Sequence, residues 1–178
     1  NLRKNDIAIA GGKGASLGEM TQIGLSVPAG FVILASVFDR FLEETDINVE
    51  IEALLHKLNL KNINSIDRVS NEIRDLILDA EFPKDIAKEV QKKISKLKAK
   101  YVAVRSSATA EDSSVASWAG ELESYLNTTK QNLLENIKRC WASLFTPRAI
   151  FYRFEKKLNK TKISVAVVIQ KMIQSEIS

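Results

Sequence analysis

The chain contains one cysteine and one histidine in 178 residues. A single Cys140 excludes an internal disulfide and suits a reducing, cytoplasmic setting. With His56 as the sole histidine, the Cys/His clusters that hold zinc are excluded as well. No apolar run approaches the about 20 residues needed to span a bilayer, and no leader pattern opens the chain. The first residue is Asn1 rather than Met, so the expectation is that the true N-terminus lies upstream.

Strong net charge is also missing. Lys and Arg number 26 against 22 Asp and Glu, a net charge of +4, which is too balanced to require a nucleic acid. The basic excess is local: Lys84, Lys88, Lys92, Lys93, Lys96, Lys98 and Lys100 crowd one segment. Ile86, Val90, Ile94 and Leu97 repeat there at helical spacing. The lysines then read as the solvated side of an amphipathic helix. An anion-binding patch is the alternative, without the interleaved aromatics of a stacking platform.

What the chain does contain is an ordinary globular balance, 45% apolar and 27% charged. DIAIA reads as a short strand, followed by GGKG and a helix with Leu17, Met20 and Ile23 on one face. Gly24 stands where a helix-terminating glycine belongs. VPAGFVIL reads as a strand entered through Pro28, and Ser36 is placed to cap a helix carrying Phe38, Phe41 and Leu42. The middle is helical. One helix carries Ile51, Leu54, Leu55 and Leu58; another carries Ile66, Val69, Ile73, Leu76 and Ile77, capped by Asn64 or Ser65; the lysine-rich helix begins near Pro83. YVAVR and SYLN read as strands, separated by a polar, small-residue stretch over 106–120. Helices over about 131–144 and 147–158 follow, and ISVAVVIQKMI is apolar and β-branched enough for a buried strand. Strands at both ends of a helical insert, over about 47–100, predict the α+β class. Cys140, Trp141, Leu144 and Phe145 read as core. His56 reads as a helix-surface residue, not a base, and Trp118 fits either loop packing or a pocket wall.

Four stretches carry candidate chemistry. Gly11-Gly12-Lys13-Gly14 lies between a predicted strand and helix. There a helix N-terminus offers free N–H groups and Lys13 adds a point charge suited to phosphate. It is not a P-loop, since Gly14 follows the lysine and Ile7 takes the first glycine position. Nor is it a dinucleotide fingerprint, since Leu17 replaces the third glycine. A glycine-rich turn with an exposed lysine is the plain alternative. Arg105, at a predicted strand end and followed by hydroxyls, is suited to bidentate phosphate contact; pairing with Glu111 or Asp112 is its alternative. Gly120 permits a tight loop that folds over a ligand, or an ordinary hairpin turn. Gln170, in a run of valines and isoleucines, needs a partner if buried; an adenine edge and bulk solvent are the two options.

Each signal is weak alone, but their order is specific. GGKGASLGEM, VPAGF, VAVRSSATAED, SWAGELESYLN, CWASLFTPRAIFYR and AVVIQKMI together resemble the N-terminal nucleotide-binding domain of the phosphoenolpyruvate synthase family. The same domain occurs in pyruvate phosphate dikinase and rifampin phosphotransferase. The resemblance covers nearly the whole chain and is weakest in the helical middle. It implies the N-terminal part of an ATP-grasp-like domain, with a mixed sheet and nucleotide held between two lobes. It implies that Lys13 and Arg105 contact the phosphates of ATP, that Gly120 and Ser124 belong to the loop over them, and that Gln170 lies near the adenine. It further implies Mg²⁺, with metal ligands beyond residue 178. Phosphohistidine and pyruvate-binding domains in the same longer chain are its implied partners. No nucleic acid or membrane is implied, and homo-oligomerisation is left open. A rifampin-directed or a non-catalytic relative is the alternative. One departure stands out. Family members commonly read ASFAGQ and then a D-T pair, whereas this chain has Glu121, Glu123 and Ser124. A carboxylate at Glu121 about 4 Å from triphosphate would oppose it by roughly a few kcal/mol in a partly screened site, unless it turns outward.

Overall fold

The structure is a computed structural model that describes residues 2–109, 123–156 and 164–173. Four strands, β1 (Gly30–Ile33), β2 (Val102–Ala108), β3 (Ser124–Thr128) and β4 (Val165–Lys171), form one sheet in the order β1-β4-β2-β3. Every pairing is antiparallel. The α+β class is as expected, but the sheet is antiparallel throughout among the described strands rather than mixed. The helices are α1 (Ile7–Gln22), α2 (Ala35–Glu44), α3 (Ile47–His56), α4 (Ile63–Asp79), α5 (Lys84–Leu97), α6 (Leu133–Ala142) and α7 (Pro147–Glu155).

The two central strands, β2 and β4, are buried along most of their length, and successive side chains point to opposite faces. On one face, Val102, Val104 and Ala108 align with Val165, Val167, Ile169 and Ile33, all in the main core. Helices and the connection between α4 and α5 supply its aromatic centre. Trp141 sits 4.9 Å from Phe41, 5.3 Å from Phe82 and 5.5 Å from Phe38, centroid to centroid. The other face carries Ala103, Arg105, Ser107, Ala166, Val168, Gln170 and Val32, with α1 lying across it. Here the packing is small on small: Ala10, Gly11, Gly14 and Ala15 are the buried residues of α1.

Local departures from expectation have identifiable causes. DIAIA is not a strand. Residues 7–10 form one helical turn, with Ile9 45% exposed and Ala10 buried. Four apolar residues, Ile7 to Ala10, fit either period, and the docking of Ala10 and Gly14 onto the sheet selects the helix. Gly11 then breaks α1 with φ 66°, and helix resumes over 12–22. Gly24 does terminate α1, at φ 82°, with Leu25 N–H donating to Met20 O and Gly24 N–H to Thr21 O. Ser36 lies inside the first turn of α2, whose N-cap is Leu34 without a side-chain bond. The cap of α4 is Asn62, accepting from Ser65 N–H, not Asn64 or Ser65. The strand at YVAVR continues through Ser106, Ser107 and Ala108, because the neighbouring strand β4 supplies the ladder that the hydroxyl-rich sequence does not advertise. The helical layer matches the amphipathic pattern: Ile86, Val90 and Ile94 are buried on α5 while all seven lysines of that segment are exposed. His56 is an exposed residue in the last turn of α3.

Candidate nucleotide site

The strand register decides which sequence candidates can meet. Arg105 pairs directly with Ser124 on β3 and with Val168 on β4. Val168 and Gln170, two apart, share a face. Arg105, Ser124 and Gln170 therefore stand on one face of the sheet, the face that α1 covers in part. Arg105 is half-buried in the middle of β2, not at a strand end, and Ser124 is exposed beside it.

Lys13 is brought to the same face through its backbone. Its N–H donates to Ser107 Oγ at 3.1 Å, and Gly14 N–H donates to the same oxygen at 3.3 Å. Ser107 is two residues from Arg105 on the same side of β2, about 6.6 Å along the strand. This arrangement corrects two sequence readings. The Lys13 and Gly14 amides at the restarted helix face Ser107, so they are not open to a ligand. The hydroxyls after Arg105 are also committed: Ser106 Oγ donates to Glu123 O at 2.8 Å on the opposite face, and Ser107 accepts from α1.

Gln170, half-buried, finds a partner within the chain, its Nε2 donating to Pro28 O at 3.3 Å. It borders a cavity of ≈ 390 Å³ between α1, β1 and β4, lined by Gly14, Leu17, Val27, Pro28, Val32 and Val168 among others. That volume lies within the range of small-ligand sites, about 300–1,000 Å³, and the lining is mostly apolar, with Thr21, Gln22 and Gln170 as its polar side chains. A larger cavity, ≈ 880 Å³, lies in the helical layer between α2, α3 and α4. None of the candidate residues borders it, and Glu44, Glu50, Glu72, Asp75, Asp79 and Glu81 make its rim acidic. Such a rim repels phosphate, so the smaller cavity is the better nucleotide candidate despite its size.

At the other end, the Glu123 carboxylate accepts from Tyr125 Oη. Cys140, on α6 behind it, has its thiol pushed up to about 12 by burial and secondarily by the Glu123 charge. Gly120, Glu121 and Trp118 lie outside the described residues. Among the described residues, no group of three His, Cys, Asp or Glu side chains is placed to hold a metal. No helix among them is long and apolar enough to cross a membrane.

Lys13, Arg105, Ser124 and Gln170 thus stand along one face of the sheet, with a mostly apolar cavity beside Gln170. Residues 7–178 match the family described as pyruvate phosphate dikinase, AMP/ATP-binding domain, and the chain belongs to that family. It is 48% identical, over 99% of its length, to a probable phosphoenolpyruvate synthase of Archaeoglobus fulgidus, covering 24% of that protein. It is 43% identical, over 98% of its length, to a probable phosphoenolpyruvate synthase of Methanothermobacter thermautotrophicus, covering 27% of it. A rifampicin phosphotransferase of Bacillus cereus is 39% identical over 99% of the chain, which spans 21% of that protein. The chain thus corresponds to about a quarter of the length of the relatives it matches.

Proposed function

We propose that this chain forms one wall of the ATP site in a phosphotransferase of the phosphoenolpyruvate synthase type. The observation that carries this reading is the shared sheet face. Ser107, Arg105 and Ala103 follow one another along β2, and Gln170 sits opposite Ala103 on β4. The Lys13 end and the Gln170 end are therefore about 13 Å apart along the strand axis. A nucleotide lying along this face would place its phosphates at Lys13, Arg105 and Ser124 and its base in the apolar cavity beside Gln170. Gly120, by resemblance to the family, belongs to the loop over the phosphates.

The chemistry follows from charge and position. Phosphoryl transfer depends mainly on holding the reacting groups in line and neutralising charge on the transferring oxygens. Arg105 suits bidentate contact with phosphate oxygens and Lys13 supplies a point charge. Mg²⁺, when bound, would neutralise charge on the phosphate oxygens. At this end the Glu123 carboxylate is engaged by Tyr125 and that of Asp39 by Ser164, and no group of three His, Cys, Asp or Glu among the described residues is placed to hold a metal, so the described residues do not fit a complete metal site and no step is derived through the ion. In the longer protein, ATP would be cleaved between its α- and β-phosphates to leave AMP, one phosphoryl group passing by way of a histidine on a separate domain to pyruvate and the other to water as phosphate.

The test is ATP binding by titration calorimetry on the longer protein, wild type against Lys13→Ala and Arg105→Ala. Unchanged affinity in both variants would sink the assignment. The acceptor is a separate question, because a rifampicin phosphotransferase is also similar. Phosphorylation of rifampicin but not pyruvate by the longer protein would replace the pyruvate reading, and no measurable ATP binding at millimolar concentration would favour a non-catalytic role. A cytoplasmic location and homo-oligomerisation belong to the same proposal, checked by cell fractionation and by light scattering.

A further inference from the structure

We infer that Ser107 is a positioning residue for the nucleotide, acting through Lys13. The inference rests on the reading of Lys13 as a phosphate ligand and goes beyond it by naming what holds that lysine in place. Ser107 is fully buried, and its hydroxyl oxygen accepts from two consecutive amides of α1, Lys13 at 3.1 Å and Gly14 at 3.3 Å. It thus does for the restarted helix what a capping side chain does within a helix's own sequence, but from a strand 94 residues away.

Gly11 shows how closely the two elements are fitted. Its φ of 66° places it in the left-handed region, where a side chain is disfavoured. A Cβ at Gly11 would lie 2.2 Å from Ser107 Oγ and 2.3 Å from Ser107 O. The chain therefore passes directly over Ser107, bends, and restarts as helix with its first amides aimed down at the hydroxyl. The buried residues of α1 at the restart are small: Ala10, Gly11, Gly14 and Ala15. With so little side-chain packing, the Ser107 hydroxyl and the fit of Gly11 over it set the height and rotation of the helix. Lys13, bonded to Ser107 through its own N–H, inherits that position relative to Arg105, two residues along the same strand. A flexible lysine on a loosely held turn loses entropy on gripping phosphate; one whose backbone is already fixed loses less.

A double-mutant cycle in the full-length protein separates positioning from general support. Nucleotide affinity is measured by calorimetry for wild type, Ser107→Ala, Lys13→Ala and the double variant. Removing the shared acceptor strands two amide donors, and the expected loss in the wild-type background is roughly tenfold. In the Lys13→Ala background the same change is expected to cost less than about twofold, because the residue through which Ser107 acts is gone. Equal losses in both backgrounds would mean that Ser107 only supports the fold, and the inference would be overturned. No loss in either background would overturn it too. If Lys13→Ala binds ATP like wild type, the underlying phosphate reading fails; if Lys13→Ala weakens binding and Ser107→Ala does not, only the positioning role fails. Should Ser107→Ala not fold, Ser107→Cys keeps the volume while exchanging a strong acceptor for a weak one. It is expected to give the same background-dependent loss, and a background-independent loss would again overturn the inference.

Discussion

The two faces of the sheet are held by different physics. One packs large apolar groups: Phe38, Phe41 and Trp141 are essentially inaccessible, and Ile73, Ile77, Leu133 and Ile137 surround them. The other packs α1 through alanines and glycines and is fixed by hydrogen bonds to one hydroxyl. The first arrangement yields stability, because the hydrophobic term grows with buried area. The second yields position, because hydrogen bonds are directional and small residues let backbone approach backbone. On the proposed reading of Lys13 and Arg105, separating the two tasks would let the site face be rigid without being apolar.

The largest effect that sharpens this contrast is expected on the aromatic face. Trp141→Ala is expected to cost about 3–5 kcal/mol, read as a lowered midpoint in urea unfolding, with ATP affinity unchanged under conditions where the variant stays folded. Trp141→Phe should cost less, since the indole Nε1 is buried without a hydrogen-bond partner and removing an unsatisfied donor offsets part of the lost volume. Next comes the site face. Arg105→Ala is expected to weaken ATP binding by about 10- to 100-fold, the range of a charge-assisted hydrogen bond of about 1.5–3 kcal/mol, while shifting the unfolding midpoint far less than Trp141→Ala. A stability loss at Arg105 as large as that at Trp141 would break the separation of tasks.

The two faces also differed in how readily the sequence disclosed them. The aromatic face was legible because its signals are local: Ile86, Val90 and Ile94 repeat at helical spacing, and the run in β4 is apolar throughout. Cys140, Trp141, Leu144 and Phe145 were read as core and are buried. The other face offered candidate residues by motif but not their geometry. Lys13 and Arg105 could be named from their motifs. That the Lys13 and Gly14 amides face Ser107 could not, because their partner lies 94 and 93 residues away. The extension of β2 through Ser106–Ala108 was hidden for a similar reason, since its partners in β4 come about 60 residues later. DIAIA was misread as strand because five residues cannot distinguish the two periods. Its helical state is fixed by contact with a strand it does not adjoin in sequence.

A smaller effect tests whether helix ends on the aromatic side act independently of the site. Thr146 caps α7, its Oγ1 accepting from Ala149 N–H at 3.2 Å, with Pro147 at the first helical position. Thr146→Ala is expected to cost about 1 kcal/mol in urea unfolding and to leave ATP affinity within about twofold. A larger change in affinity would show that α7 communicates with the site.

The smallest effect at neutral pH is expected at Cys140, which lies behind the site and senses both sides of it. Burial is the main cause that raises its thiol from 9.0 to about 12, with the Glu123 charge adding to the shift and the Lys13 charge opposing it. A raised pKa means the folded state holds the proton that the unfolded state releases. The contribution is fully present below about 9, the unfolded value, and is lost as pH rises from there towards about 12. Each pH unit in that window should remove up to about 1.4 kcal/mol for one proton. Tyrosines and lysines titrate there too, so the measured quantity is the difference between wild type and Cys140→Ala in unfolding free energy against pH. That difference should be constant from pH 6 to about 8 and then narrow, because the variant lacks the thiol whose deprotonation destabilises the wild type. A difference that stays flat to pH 11 would mean that the thiol is not desolvated in solution, and that α6 does not seal the back of the site as the structure has it.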